Sequence, residues 1–125
     1  MIPDKTNQLN KQKVLEQWMK NFAKEMFEKI SQEIYPLFQP YGVKYPLIKT
    51  RVMRARWGSC HYNKGTIVLN TRLIEAPRSS IEYVVLHEYA HFIHPNHSKA
   101  FYGLVESFMP DWKERKNILN QINLS

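Results

Sequence analysis

Apolar side chains recur at steps of three and four between about residues 11 and 38, with Lys, Glu and Gln filling the gaps. This spacing predicts a long amphipathic helix. At about 1.5 Å per residue it would span roughly 40 Å, enough to support a small domain from one side. Pro and Gly residues between Pro36 and Pro46 predict a connector, so the support helix is assigned to residues 11–39. The predicted buried stripe consists of Leu15, Trp18, Met19, Phe22, Met26, Ile30 and Ile34.

A small β-sheet is predicted in residues 48–74. Residues 48–57 are rich in types that suit a strand, and the turn Asn63-Lys64-Gly65 leads into a clearer strand, Thr66–Asn70. We interpret this region as a β-hairpin or as two neighbouring strands.

Helical segments are predicted throughout residues 79–125. Ser79 and Glu82 have the spacing of a capping box, so a helix is expected to begin there and to run to about Ile93. Pro95 disfavours helical geometry at His94, where the chain is expected to turn. The remaining boundary signals are Ser98, which restarts a helix, Pro110, which ends it, and the capping-box pair Asp111 and Glu114, which opens the last helix. A single α+β domain over residues 1–125 accounts for all of these elements.

Composition restricts the class of protein. A chain of 125 residues with 43% hydrophobic and 23% charged residues is typical of one globular domain and excludes disorder of the whole chain. The net charge of +7 favours an anionic partner such as nucleic acid or a phosphorylated substrate. The lone Cys60, an N-terminus without the apolar core of a signal peptide, and the lack of an apolar run of about 20 residues predict a cytoplasmic protein that does not contact membranes.

The most informative segment holds four of the five histidines within eleven residues, from His87 to His97. His87 and His91 are one helical turn apart, so both imidazoles project from one face, about 6 Å from each other, and can bind one Zn²⁺. Glu88 lies roughly 100° around the helix, where its carboxylate can take a proton from a water that the metal activates. The sequence therefore predicts a catalytic zinc site.

A catalytic zinc site usually has three protein ligands, and His97 is the expected third. The turn near His94 lets the chain fold back, and the six residues from His91 suffice to return a side chain to the metal. Metzincins use this spacing with a glycine at the turning point, which is His94 in this chain. Glu106 on the following helix is a weaker competitor for the third position. We expect the side chain of His94 to lie at the surface or beside the ligands.

Six segments of the chain form a distinctive set of motifs: Arg56–Cys60, Leu69-Asn70, Ala76-Pro77, Ile81–Glu88, Asn96–Tyr102 and Pro110–Arg115. Together they resemble the YgjP-like metallopeptidase family of predicted zinc hydrolases, over about residues 11 to 120. The resemblance implies a zincin-like fold, with metal ligands corresponding to His87, His91 and His97 and a general base corresponding to Glu88. Tyr89 stands where relatives often have a small aliphatic residue, a difference that we attribute to packing.

These features favour a zinc-dependent peptidase acting on a peptide or protein substrate. Glu88 would take the proton of the attacking water and pass it to the leaving amine. The strand Ile67–Asn70 would align an extended peptide by edge pairing, and Tyr102 is a candidate donor to the developing oxyanion. In the segment Arg56–Cys60, we expect Trp57 to anchor the core and Cys60 to be a small buried apolar residue.

Two alternatives remain open at this point. A metal-dependent nucleotide phosphohydrolase would use Arg54 and Arg56, which would lie about 6.6 Å apart on one strand face. Arg51, Arg72 and Arg78 are near in sequence and would complete a phosphate site. A nucleic-acid-binding module with structural zinc would instead stack bases on Trp57 and Tyr62. The sequence does not predict the oligomeric state.

Overall fold

The computed structural model describes the backbone of residues 4–124 and the side chains of residues 10–124. The single domain predicted over residues 1–125 therefore includes terminal residues that lie outside the described range. The described residues form four α-helices and three β-strands, joined by short turns that include 3₁₀ helices at Gln39–Tyr41, Tyr62–Lys64 and Thr71–Glu75. The elements in chain order are α1 (Asp4–Phe38), β1 (Leu47–Arg51), β2 (Gly58–His61), β3 (Thr66–Asn70), α2 (Arg78–Ala90), α3 (Lys99–Phe108) and α4 (Trp112–Asn120).

The long N-terminal helix is confirmed, and it begins earlier than the sequence predicts. It covers 35 residues and ends at Phe38, so at about 1.5 Å per residue it is roughly 52 Å long. Pro36, which we expected in the connector, lies inside the last turn of the helix. The chain leaves through Gly42, whose φ of 85° is the left-handed conformation that glycine adopts without strain.

The buried face of α1 differs from the predicted stripe in its first half. Ile30 and Ile34 are buried as expected, but Leu15, Trp18 and Phe22 are 56%, 60% and 40% exposed. The apolar side chains that α1 contributes to the core are Ala23, Phe27, Ile30, Ile34 and Phe38.

Helical geometry explains this error. Trp18 and Phe27 are nine residues apart, which at about 100° per residue places them on opposite sides of α1. The helix therefore has two apolar stripes, one on the core side of its second half and one facing away from the core in its first half. The sequence pattern predicted a single stripe because the residues of both stripes are spaced three and four apart.

The sheet has the strand order β1-β3-β2. β1 runs parallel to β3, with Leu47 opposite Thr66, whereas β2 runs antiparallel to β3, with Gly58 opposite Leu69. The prediction of a strand over residues 48–57 is wrong in its second half, because β1 ends at Arg51 and residues 52–57 form a bend. β3 is buried along its whole length as the central strand, so it cannot offer the free edge that we expected to align a substrate.

A fully buried asparagine, Asn70, holds the bend in place. Its Nδ2 donates to the carbonyl oxygens of Met53 and Arg56, at 2.9 and 2.8 Å. Its backbone N–H donates to the carbonyl of Trp57 at 2.9 Å, and its Oδ1 accepts from the N–H of Arg72 at 3.1 Å. The first three bonds connect the end of β3 to the segment that leads into β2, and the fourth caps the 3₁₀ helix Thr71–Glu75.

The helix predicted from Ser79 to Ile93 is present as α2, which begins one residue earlier and ends three residues earlier. The predicted capping box does not form. The carboxylate of Glu82 instead accepts from Arg78 Nε at 3.0 Å and from Arg115 Nη1 at 2.8 Å. These pairs tie the start of α2 to itself and to α4.

The last two helices begin where the sequence predicts. Ser98 caps α3 through its Oγ, which accepts from the N–H of Phe101 at 3.2 Å. Asp111 directly precedes α4, but its carboxylate binds Arg115 Nε at 3.0 Å and does not cap the helix, so the second capping box is also absent.

Tyr89 joins α2 to α1 in the core. Its side chain is fully buried, its ring packs 5.2 Å from that of Phe38, and its hydroxyl lies 2.6 Å from Ser31 Oγ. These contacts agree with the expectation that the role of Tyr89 is to pack in the core. Among residues 4–124, no helix combines the length and the apolar character needed to cross a bilayer.

Candidate metal centre

Three histidine side chains converge beside α2. The Nε2 atom of His97 lies 3.1 Å from that of His87 and 3.1 Å from that of His91. Their ligand atoms all lie within 4.8 Å of one another. Tetrahedral zinc with bonds of about 2.0–2.1 Å requires nitrogens about 3.3 Å apart. Among the described histidine, cysteine, aspartate and glutamate side chains, these three histidines form the cluster that has the spacing of a metal site.

Local structure explains why these histidines meet. His87 lies in the last turn of α2, and His91 is the residue at which the helix ends. The N–H of His94 closes the end of the helix by donating to the carbonyl of Ala90 at 2.9 Å. The chain then turns and restarts at α3, which returns His97 to the helix face. The buried ring of Phe101 supports the cluster, with its centroid 4.5 Å from that of His91.

Hydrogen bonds at the second ring nitrogens prepare the cluster for a metal. His91 Nδ1 lies 3.1 Å from the carbonyl oxygen of His94. Because a carbonyl can only accept, Nδ1 must carry the proton, which leaves the Nε2 lone pair free. His87 Nδ1 lies 3.3 Å from the hydroxyl of Tyr83. Three imidazole nitrogens with this orientation are a donor set that suits zinc and other transition metals.

Burial favours the neutral form of the His87 and His91 imidazoles, which is the form that binds a metal. It lowers the pKa of His87 to about 3, and the charges of His91, His97 and Lys116 act in the same direction. Burial also lowers the pKa of His91.

The carboxyl group of Glu88 is adjacent to the cluster and only 6% exposed. Burial raises its pKa to about 7, against the opposing influence of Arg56. Gly58 of β2 packs against it so closely that a Cβ there would lie 3.2 Å from Glu88 Cγ. A carboxyl group with this pKa can both accept and donate a proton near neutral pH.

A cavity of about 530 Å³ opens over Glu88 and the three histidines. Its walls come from Arg56 and Trp57 of the bend, from β2, from α2 and from α4. Trp57 packs against the core, as expected, and also lines the cavity.

Cys60 also lines this cavity and is half-buried, so it is less enclosed than predicted. Burial raises the pKa of its thiol to about 12, and the charge of Glu88 adds to the effect. The thiol is therefore protonated at neutral pH and is not an activated nucleophile.

Glu106, the competitor for the third ligand position, does not join the histidines. It is exposed on α3, where its Oε1 accepts from Trp112 Nε1 at 3.4 Å. The imidazole of His94 also lies outside the cluster, and this residue contributes through its main-chain carbonyl.

Tyr102 and His61 lie near the centre without belonging to the cluster. The ring of Tyr102 stacks on His97, with centroids 6.1 Å apart, and on Trp112 at 5.3 Å. His61 is exposed, and its Nε2 lies 3.3 Å from Ser59 Oγ at the cavity wall.

The arginines do not form the predicted phosphate site. Arg54 and Arg56 lie in the bend rather than on one strand face, which corrects that prediction. Arg72 and Arg78 bind carboxylates elsewhere, at 2.9 and 2.7 Å. Of these four, only Arg56 lines the cavity.

The sequence analysis did not predict the roles of two residues that shape the site, Asn70 and Lys116. Asn70 was visible as a polar residue at the end of an apolar strand, a position that usually requires internal hydrogen bonds. Lys116 lines the cavity from α4, and nothing in its local sequence indicated this.

Comparisons with known proteins agree with this geometry. The YgjP-like metallopeptidase domain family matches residues 2–122. The structure resembles the metallopeptidase zymogen abylysin of Pyrococcus abyssi, with 22% identity and a TM-score of 0.65, covering 79% of this chain and 99% of that one. It also resembles the metallopeptidase zymogen jannalysin of Methanocaldococcus jannaschii, with 22% identity and a TM-score of 0.63, covering 76% of this chain and 94% of that one. No match was found among curated protein sequences. These likenesses confirm the α+β, zincin-like fold.

Proposed function

Because the chain belongs to the YgjP-like metallopeptidase family, we propose that it is a zinc-dependent peptidase in which His87, His91 and His97 bind the metal and Glu88 is the general base. The observation that carries this proposal is the convergence of three Nε2 atoms beside a buried carboxyl group at the floor of an open cavity. The proposed substrate is a peptide or protein.

The chemistry divides between the metal and the chain. A bound zinc ion would lower the pKa of water in the cleft and stabilise negative charge on the substrate carbonyl oxygen. Glu88, with its pKa of about 7, accepts the proton of the attacking water at its carboxylate and then donates it to the leaving amine. The hydrogen bond from His91 Nδ1 to the carbonyl of His94 keeps that ligand in the correct tautomer.

In this proposal, strand β2 aligns the substrate. β2 lines the cavity and pairs with β3 on one side, so it is an edge strand of the three-stranded sheet. An extended peptide can add to such an edge through main-chain hydrogen bonds. This replaces the role that the sequence suggested for β3.

Metal analysis of purified variants, combined with peptide hydrolysis, tests the proposal. Wild-type protein is expected to bind one zinc ion per chain, and His97→Ala is expected to weaken zinc binding severely. Glu88→Gln should keep the metal and lose at least about 100-fold in kcat. His94→Ala is the matched control, because it retains the carbonyl that orients His91 and should retain both zinc and activity. Full hydrolysis by Glu88→Gln, or full zinc affinity in His97→Ala, would refute the assignment.

A further inference from the structure

Two cationic side chains from different elements face the cavity. Arg56 comes from the bend before β2, and Lys116 comes from α4. Glu88 is the only carboxylate among the described residues that line the cavity. The walls therefore carry a net positive charge on the side chains that a substrate would meet.

These two cations differ in their pairing from three other arginines of the fold. Arg72, Arg78 and Arg115 each bind a carboxylate at 2.7–2.9 Å. Within residues 10–124, neither Arg56 nor Lys116 has a carboxylate within ion-pair distance. The Nζ of Lys116 instead lies 6.0 Å from the centre of the Trp112 ring. Both side chains are thus available to an anionic group in the cleft.

The guanidinium of Arg56 and the ammonium of Lys116 favour a carboxylate as the anion that binds in the cleft. A guanidinium binds a carboxylate through two parallel hydrogen bonds, and an ammonium adds a compact charge that can approach from another direction. Charged hydrogen bonds in a partly enclosed cleft are stronger than those at an open surface. The charge of Arg56 acts on the carboxyl group of Glu88, but among the described residues neither Arg56 nor Lys116 forms an ion pair with it, so both cations can bind charge on the substrate.

We propose that Arg56 and Lys116 make the cleft selective for peptides that carry a carboxylate beside the scissile bond. The carboxylate is either an acidic side chain or the C-terminal carboxylate of the substrate. This inference rests on the proposed peptidase function and adds a substrate class to it.

Matched peptides test the selectivity. Each fluorogenic peptide is made with Glu or with Gln beside the cleavable bond, and each is also made with a free or an amidated C-terminus. Zinc-loaded wild-type protein is expected to favour the carboxylate form of one of these pairs at least about tenfold in kcat/KM, equivalent to about 1.4 kcal/mol. The pair that shows the preference identifies the source of the carboxylate.

Substitutions then assign the preference to the two residues. Arg56→Gln and Lys116→Gln should each reduce it severalfold, and the double variant should bring the ratio close to one. Arg54→Gln is the matched control in the bend, since Arg54 is exposed and does not line the cavity. Lys113→Gln is the matched control on α4, since its Nζ also lies over Trp112, at 5.7 Å, and it does not line the cavity. Both controls should keep the wild-type preference.

A binding measurement separates this inference from the peptidase assignment. Fluorescence anisotropy of the same labelled peptides with zinc-loaded Glu88→Gln protein reports carboxylate preference without turnover. If no peptide is cleaved by wild-type protein, the peptidase proposal fails while the binding preference still decides the role of the two cations. Equal binding of the Glu and Gln peptides and of both C-terminal forms would overturn the inference. A preference for a nucleoside triphosphate over all peptides, abolished by the same two substitutions, would also overturn it.

Discussion

Replacing Gly58 by alanine tests how tightly β2 packs against the proposed general base. A Cβ at this position would lie 3.2 Å from each of three atoms: Glu88 Cγ, Leu69 Cδ2 and the carbonyl oxygen of Val68. Ordinary contacts of this kind are about 3.5–4.0 Å. The Val68 carbonyl belongs to the central strand, so most of the adjustment must come from the two side chains.

The expected magnitudes follow from this geometry. Overpacking costs about 1–3 kcal/mol, and the lower backbone entropy of alanine offsets about 0.5–1 kcal/mol. The difference spans about 0–2.5 kcal/mol, so Gly58→Ala should destabilise the protein by about 1 kcal/mol, near the middle of that range. A displacement of about 1 Å in a catalytic group can cost roughly 100-fold in rate. A shift of a few tenths of an ångström in Glu88 should accordingly lower kcat/KM by about 3- to 10-fold.

Urea unfolding and peptide hydrolysis by zinc-loaded protein measure the two effects. Gly103→Ala is the matched control, because Gly103 lies within α3 and a Cβ there would meet nothing within 4 Å. It should stabilise the protein by about 0.5–1 kcal/mol and leave hydrolysis unchanged. A Gly58→Ala protein with wild-type stability and wild-type kcat/KM would show that the close packing has neither structural nor catalytic significance.

Three further residues, Asn70, Tyr89 and Cys60, lead to testable predictions. Asn70→Ala should lower the free energy of unfolding by about 2–4 kcal/mol, since it leaves several main-chain groups of the bend without partners, and an unchanged urea midpoint would contradict this. Tyr89→Phe should cost about 1 kcal/mol through loss of the bond to Ser31, measured in the same way. Cys60, with a pKa of about 12, should react with iodoacetamide at pH 8 at least about 100-fold more slowly in folded than in urea-unfolded protein, and equal rates would refute the shift. Since the pKa is raised in the folded state, the free energy of unfolding should fall as pH rises above about 8.5, and Cys60→Ser should reduce that fall.

Periodicity located the helices well, but it did not decide which face of α1 is buried. Leu15, Trp18 and Phe22 have the same spacings as the core residues that follow, and only the position of the rest of the fold distinguishes them. At the start of α1, the side turned towards the domain carries polar residues such as Glu16 and Lys20, which line a groove with Arg72. The local sequence of α1 therefore does not predict which of its faces packs against the domain.

The sheet shows a second limit of local patterns. β2 comprises Gly58–His61, a short segment with little intrinsic preference for a strand, and it forms because it pairs with β3. The bend before it depends on hydrogen bonds from Asn70, a residue outside the segment. The histidine cluster was easier to predict, because helical spacing and one turn bring His87, His91 and His97 together within eleven residues.

The end of α2 has a consequence for how this motif tolerates variation. The tautomer of His91 is set by a main-chain carbonyl, at residue 94, and every amino acid supplies such a carbonyl. The orientation of His91, a proposed metal ligand, therefore depends on where the helix ends and not on the identity of a neighbouring side chain. Residue 94 is thus open to substitution, whereas an inserted or deleted residue between His91 and His97 would disrupt both the ligand's orientation and the return of the third histidine. A designer who transplants this motif into another scaffold must copy the helix end and the loop length, and is free to choose the side chain at the turn.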